Sequence, residues 1–131
     1  MAQGPTVHIV VPRADASMIA ACLAALCTIN TLYLRQHPHT PALAASGVRY
    51  RRETPWEREQ FLSIPAVLDR GYGDCDDLAC WRVAELHAHA IDTAARPKLV
   101  HISPRVLHIV VQRGNGLIED PSRQLGMGAT E

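Results

Sequence analysis

The order of apolar and polar positions predicts a strand and then a long helix at the start of the chain. Residues 6–12 form a β-branched run between Gly-Pro and Pro-Arg pairs, which is typical of a strand. Residues 17–34 contain no charged side chain. They predict a helix that Asp15 or Ser17 caps, that ends near Gln36 and that lies centrally in the core, because it is apolar nearly all round.

A second helix is predicted from the residues that can start it. Residues 54–57 (Thr-Pro-Trp-Glu) suit the N-cap, the first helical position and the capping-box glutamate, in a helix that ends near Ser63. A further turn is expected at residues 65–69. Residues 70–73 include two glycines and predict a flexible connection to the next helix.

The second half of the chain predicts one helix and then a sheet. The helix begins at Cys75, since apolar residues follow it at helical spacing, and it fades at residues 91–94. Three strands are predicted, at residues 98–103, 105–113 and 117–120. Residues 114–116 (Gly-Asn-Gly) give a hairpin signal, and the turn-rich tail from Pro121 is expected to wrap the surface. Helices first and strands later indicate an α+β fold with a mainly antiparallel sheet.

Length and charge narrow the classes of protein. The chain has 131 residues, 47% of them hydrophobic, and its formal net charge is zero. This length predicts a single domain over residues 1–131. Balanced charge gives no electrostatic reason to expect nucleic acid or an anionic membrane as a partner. The alanines and polar side chains of residues 17–34 favour a buried helix over a membrane span. Arg13 and Asp15 interrupt the apolar segment that a signal peptide would need, so no signal peptide is expected.

The cysteines are spaced too widely to predict a metal site. Four are present: Cys22, Cys27, Cys75 and Cys80. In each pair the two residues are five positions apart, which turns their side chains about 140° from each other on a helix. A zinc site from His87, His89 and cysteines also fails on spacing. We therefore expect reduced thiols in a cytosolic compartment, and neither a metal nor a cofactor.

Residues 73–77 (Gly-Asp-Cys-Asp-Asp) place Cys75 at the mouth of its predicted helix. A helix N-terminus and a neighbouring imidazolium stabilise a thiolate, which is the nucleophilic form of cysteine. A lone cysteine is more often a small buried side chain, and the flanking aspartates oppose a thiolate or simply cap the helix. The nucleophile interpretation therefore depends on a histidine and a carboxylate that follow Cys75 in the chain.

His108 and Asp120 are the residues that supply them. In a thiol-based acyl transfer the imidazole carries the proton and the carboxylate fixes the imidazole tautomer. The two side chains share a sheet face only if the hairpin loop has an odd number of residues. A two-residue turn at 115–116 separates them. A loop of residues 113–115 sets them directly across from each other, and a loop of residues 114–116 sets them diagonally.

Other residues are weaker candidates for the site. His101 lies on the preceding strand and lacks an acid at suitable spacing. The backbone N–H of Cys75 is the natural first donor to an oxyanion. The indole N–H of Trp56 or the phenol of Tyr50 is a candidate for the second oxyanion donor or for a substrate contact, although both rings also suit ordinary aromatic packing.

Taken together, residues 73–78, His108 in its apolar strand and residues 120–122 (Asp-Pro-Ser) resemble the transglutaminase-like superfamily of cysteine peptidases. Three segments are similar to the small versions that bacteriophages and prophages encode: Gly-Val-Arg-Tyr-Arg-Arg-Glu at 47–53, Trp-Arg-Val-Ala-Glu-Leu at 81–86 and Asp-Pro-Ser-Arg-Gln-Leu-Gly-Met at 120–127. The resemblance covers residues 45–127, most of the chain. The N-terminal strand and long helix lie outside it.

The resemblance implies a papain-like α+β core, in which the nucleophile helix packs on an antiparallel sheet, and a triad of Cys75, His108 and Asp120. It implies a cysteine hydrolase or acyltransferase that acts on amide or isopeptide bonds through a thioester. The substrate would be a protein or peptide, such as a peptidoglycan peptide or a virion protein. The location would be the bacterial host cytoplasm or the virion. The alternative is a non-catalytic virion or host-interaction structural protein that retains the fold.

Overall fold

The computed structural model describes residues 6–11, 15–52, 59–104 and 106–128. These ranges contain four α-helices: α1 (Ala16–Gln36), α2 (Ile64–Arg70), α3 (Cys75–Ala88) and α4 (Pro121–Gln124). They also contain seven short strands: β1 (His8–Val11), β2 (Arg49–Tyr50), β3 (Glu59–Leu62), β4 (Tyr72–Gly73), β5 (Arg96–Ser103), β6 (Val106–Gln112) and β7 (Ile118–Glu119). The protein is therefore a mixed helix-and-sheet fold, as the order of elements predicts.

The strands form three small sheets. β5, β6 and β7 make an antiparallel meander with β6 in the middle. β1 pairs with β3 antiparallel, and β2 pairs with β4 parallel over two residues. Helix α3 packs between α1 and β6, so the N-terminal end of α3 lies inside the fold. The predicted preference for antiparallel pairing is confirmed, apart from the short β2–β4 pair.

Helix α1 begins and ends where the sequence predicts. The side chain of Asp15 caps it by accepting a hydrogen bond from the backbone N–H of Met18 at 2.8 Å. The prediction that α1 is central in the core is wrong, because only one side of it packs on the rest of the fold. The opposite side exposes a set of alanines: Ala20, Ala21, Ala24 and Ala25. By length and composition alone α1 is also apolar enough to cross a membrane, a property that it shares with core helices of soluble proteins.

The prediction of a helix from Thr54 to Ser63 is wrong over Glu59–Leu62, because these residues form β3. Trp56 lies outside the described residues. β3 pairs with β1, and Phe61, fully buried, lies opposite Ile9. A strand leaves backbone donors and acceptors that need a partner. β1, which is distant in the sequence, supplies the hydrogen-bond partners for β3. This long-range pairing outweighs the local sequence signals for a helix.

The connection from α2 to α3 is ordered rather than flexible. Gly71 ends α2 with a positive φ of 84°, a conformation that glycine adopts without strain. Tyr72 and Gly73 then pair with β2, and the N–H of Arg51 donates to the carbonyl of Gly73 at 2.8 Å. The chain therefore enters α3 from a fixed strand, which sets the position of Cys75.

The tail packs against the fold instead of wrapping the surface. Its buried residues are Pro121, Ser122, Leu125 and Met127. The carbonyl of Leu125 accepts a hydrogen bond from the N–H of Tyr50 at 2.9 Å, which joins the tail to β2. Burial of Leu125 among the side chains around Trp81 explains why this turn-rich segment is held in place.

Candidate active site

The start of α3 is built by a reciprocal pair of aspartates. The carboxylate of Asp74 accepts the N–H of Asp77 at 3.4 Å, and the carboxylate of Asp77 accepts the N–H of Asp74 at 3.3 Å. This capping box makes Cys75 the first helical residue. Cys75 is half-buried and packs against the apolar cluster beneath α3. A thiol at this position lies at the positive end of the helix dipole, which favours its thiolate.

His108 and Asp120 form a close ion-pair geometry. Nε2 of His108 lies 3.0 Å from Oδ1 and 2.9 Å from Oδ2 of Asp120. The imidazole is only 4% exposed, whereas the carboxylate is partly exposed. A proton on Nε2 therefore donates to the carboxylate and leaves Nδ1 as the ring nitrogen available to a thiol.

The hairpin loop explains why these two side chains meet. The N–H of Arg113 donates to the carbonyl of Leu117 at 2.8 Å, and the loop between them is residues 114–116. Val111 is opposite Glu119, so His108 and Asp120 lie on one face and are diagonal neighbours. The odd-length loop that the pair requires is confirmed, in its diagonal form.

Two contacts fix how α3 lies along the sheet. Nε of Arg82 lies 2.8 Å from Oε1 of Glu119, the residue opposite Val111. Five residues later, Nε2 of His87 donates to the carbonyl of Ala95 at 2.7 Å, beside the start of β5. α3 and β6 therefore run in the same direction.

The level of the thiol along the sheet follows from that direction. Cys75 precedes Arg82 by seven residues, about 10 Å of helix. His108 precedes Val111 by three residues, about 10 Å of strand. Because the two offsets are equal, we expect Cys75 and His108 at about the same level of the sheet. β7 pairs only with Val111 and Gln112, so in the described part of the chain the flank of β6 beside His108 has no strand on it.

The other site residues predicted from the sequence lie in different places. His101 is exposed on β5 opposite Leu107 and forms no contact with a carboxylate among the described residues. Tyr50 is half-buried and lies opposite Gly73, two residues before Cys75, so it stays a candidate for the second oxyanion donor. Trp56 lies outside the described residues. The structure thus brings together His108 and Asp120. It places Cys75 at the start of α3 and Tyr50 on β2, opposite Gly73.

A cluster of ion pairs, which sequence reasoning missed, holds β7 against α3. Glu119 accepts from Arg82 at 2.8 Å and from Arg113 at 2.7 Å, and Arg113 also bonds Asp92 at 2.8 Å. Hydrogen bonds from Arg82 and then from Arg113 lower the pKa of Glu119. Because Asp120 is the next residue after Glu119, these contacts also fix the carboxylate that holds His108.

The aspartates around Cys75 are buried, which the sequence analysis did not predict. Asp74, Asp76 and Asp77 each offer an oxygen within 4.8 Å of the others. Burial, and then the nearby Asp74, raise the pKa of Asp76 well above its usual range. Burial also raises the pKa of Asp77 to about 6, although hydrogen bonds from backbone N–H groups oppose it. Asp76 precedes Ala79 and Cys80 at helical spacing, and this spacing was the available signal for its burial.

We expect the free energy of unfolding to fall with rising pH because of this cluster. A raised carboxyl pKa stabilises the fold below the unfolded value of about 4, and that contribution is lost as pH rises through the folded value. For Asp77 the loss falls between about pH 4 and about pH 6 and amounts to about 2–3 kcal/mol. The raised pKa of Asp76 acts in the same direction, so stability is lost above its unfolded value of about 4 as well.

Asp76→Asn keeps the size of the side chain and removes its charge, so it is expected to stabilise the protein at pH 8. Urea unfolding between pH 4 and pH 8 measures the effect. Asp15→Asn is the matched control, because asparagine also caps a helix and Asp15 is exposed. Equal pH profiles for the wild type and Asp76→Asn would show that the buried cluster carries no such penalty.

Comparison of the chain with protein-family models, with curated proteins and with solved structures finds no match in any of the three. No relative therefore assigns a reaction or a substrate. The chemistry of the site rests on its own residues.

Proposed function

We propose that the protein is a cysteine-dependent hydrolase or acyltransferase that acts on amide or isopeptide bonds. The observation that carries this proposal is the contact of His108 Nε2 with both carboxylate oxygens of Asp120, in a chain whose Cys75 begins a helix packed on the same sheet. An oriented imidazole and a thiol at a helix N-terminus are the two parts that a thiol nucleophile needs. A papain-like core of the transglutaminase-like type is the corresponding fold proposal.

The proposed reaction has two steps. The thiolate of Cys75 attacks the substrate carbonyl while the imidazolium of His108 supplies a proton from Nδ1 to the leaving amine, which leaves a thioester and a neutral imidazole. Water or a second amine then attacks the thioester and gives its proton to His108, and the thiolate leaves. The N–H of Cys75 stabilises the oxyanion and Asp120 stabilises the imidazolium. Hydrolysis is the preferred second step.

The first test compares two thiols of the same helix. Cys80 is fully buried, its Sγ lies 3.6 Å from the carbonyl of Leu23, and burial raises its pKa well above the usual range. We expect iodoacetamide at pH 6 to modify Cys75 at least tenfold faster than Cys80, measured by peptide mass spectrometry. Cys75→Ser should lose the fast phase. Equal and slow reaction of both thiols at every pH would instead support a non-catalytic structural protein.

A second test separates the two reactions. A glutamine-containing peptide is incubated with a labelled primary amine, and the products are followed by mass spectrometry. Release of ammonia without incorporation of the amine supports hydrolysis, whereas incorporation of the label supports transfer. Either product must disappear in Cys75→Ala. Turnover that persists in this variant would place the reaction elsewhere. Protein or peptide substrates, including peptidoglycan peptides and virion proteins, are the first to screen.

A further inference from the structure

An apolar groove of about 620 Å³ runs between α1 and β5, with the last turns of α3 as its floor. Its α1 wall follows the helical repeat from Ala20 through Ala24 and Thr28 to Arg35, about 22 Å of helix. Leu99 on β5 lines the opposite wall. A volume in this range is typical of small-molecule sites. The groove is elongated along α1, which suits an extended chain.

The hydroxyl groups of the α1 wall are already bonded within the helix. The hydroxyl of Thr28 donates to the carbonyl of Ala24 at 3.1 Å, and the hydroxyl of Thr31 donates to the carbonyl of Cys27 at 2.7 Å. These side chains therefore need no polar partner from a ligand. The wall offers apolar surface whose burial by an alkyl chain is favourable, by about 0.8 kcal/mol for each buried CH₂.

Within the described ranges, the positive charge that lines the groove has no negative side chain beside it in the lining. Arg35 and Arg96 line it, and no aspartate or glutamate does so among the described residues. Among the described residues, the guanidinium of Arg96 bonds only the neutral amide oxygen of Gln112, at 2.8 Å and 3.1 Å. In the described part of the chain Arg35 forms no ion pair. Each guanidinium therefore keeps donors for an anion, and carboxylates fit that fork well.

We propose that this groove binds a single-chain amphiphile with an anionic head, of the long-chain carboxylate class. The alkyl chain lies along α1, and the carboxylate bonds Arg35 and Arg96. Apolar walls without guanidiniums would accept any oily chain, and guanidiniums without the walls would accept any small anion. The two together select a molecule that is apolar over its length and anionic at one end. The proposal does not depend on the reaction proposed for Cys75.

The first experiment measures binding of monomeric dodecanoate to the whole chain by isothermal titration calorimetry. Ala24→Trp fills the groove from its α1 wall, whereas Ala25→Trp adds the same ring to an exposed position that does not line it. We expect Ala24→Trp to weaken binding at least tenfold and Ala25→Trp to leave it unchanged. Absence of saturable binding to the wild type, or equal effects of the two variants, would overturn the proposal.

The second experiment tests the charged end. Replacing Arg35 and Arg96 together by glutamine should weaken dodecanoate binding at least tenfold, whereas Arg52→Gln, an exposed arginine outside the groove, should not. Dodecanol should bind the wild type correspondingly more weakly than dodecanoate. Equal affinities for the acid and the alcohol would remove the anionic head from the proposal. Binding to anionic phospholipid vesicles without binding of monomeric dodecanoate would assign the face to a membrane and refute the small-molecule site.

Discussion

Replacing His108 by alanine is expected to slow alkylation of Cys75 at pH 6 by about 100-fold. At that pH an unassisted cysteine is almost entirely a thiol, because its usual pKa is about 8.5, and only the thiolate reacts. A neighbouring imidazolium would hold Cys75 as a thiolate, and alanine removes that partner. Peptide mass spectrometry at several pH values follows the rate. The difference between wild type and variant should shrink above pH 9, where every exposed thiol ionises.

The matched control for this prediction is His101→Ala. His101 lies on β5, is exposed and forms no contact with a carboxylate among the described residues, so its removal should leave the rate unchanged. Asp120→Asn is the complementary variant. It keeps the shape of the contact but removes the charge that orients the ring, and it should slow turnover by up to about 10⁴-fold. If His101→Ala and His108→Ala slowed alkylation equally, the assignment of His108 would be wrong.

Truncation of Trp81 to alanine is expected to lower the free energy of unfolding by about 3–5 kcal/mol. Trp81 is fully buried on α3, among the side chains that join α1, α2 and the tail. Its Nε1 is buried without a hydrogen-bond partner in the described part of the chain. Trp81→Phe removes that unsatisfied donor while keeping most of the ring, so it should cost much less than the alanine variant.

Urea denaturation of Trp81→Ala and Trp81→Phe measures both effects. Leu32→Ala is the control, because Leu32 is 51% exposed and its truncation should change the free energy of unfolding by less than about 1 kcal/mol. A loss below about 1 kcal/mol for Trp81→Ala would show that the tail and α2 are not held by this side chain.

The sequence predicts those parts of the fold that depend on interactions between residues close together in the chain. The cap at Asp15 sets the start of α1, and the Gly-Asn-Gly loop sets the register of the last hairpin. Because that register has a strict two-residue period, the sequence reduces the question to the loop length: a loop of 113–115 or 114–116 lets His108 and Asp120 meet, and a two-residue turn does not. The sequence thus identifies His108 and Asp120 and the condition for their contact, and the structure supplies the loop that meets it.

Features that depend on distant residues are not predictable in this way. β3 forms because β1 is available to pair with it. The sequence of either strand does not indicate that the other is its partner. The packing of the tail depends on the space around Trp81. Burial of Asp76 depends on how α3 faces its neighbours, and the sequence indicates it only through the helical spacing of Asp76 to Ala79 and Cys80. The sequence of α1 is apolar nearly all round, so it does not indicate which side stays exposed. That side is determined by which part of the helix the other elements cover.

Asp120 belongs to two structures at once. Its Oδ1 accepts the N–H of Arg123 at 3.3 Å as the cap of α4, while both of its oxygens contact His108. The same carboxylate therefore orients the imidazole and holds the first turn of α4, so a change at Asp120 alters both. Removal of this carboxylate would loosen α4 as well as release the ring. Through the hydrogen bond from the N–H of Tyr50 to the carbonyl of Leu125, it would also reach β2, the strand that pairs with the entry to α3.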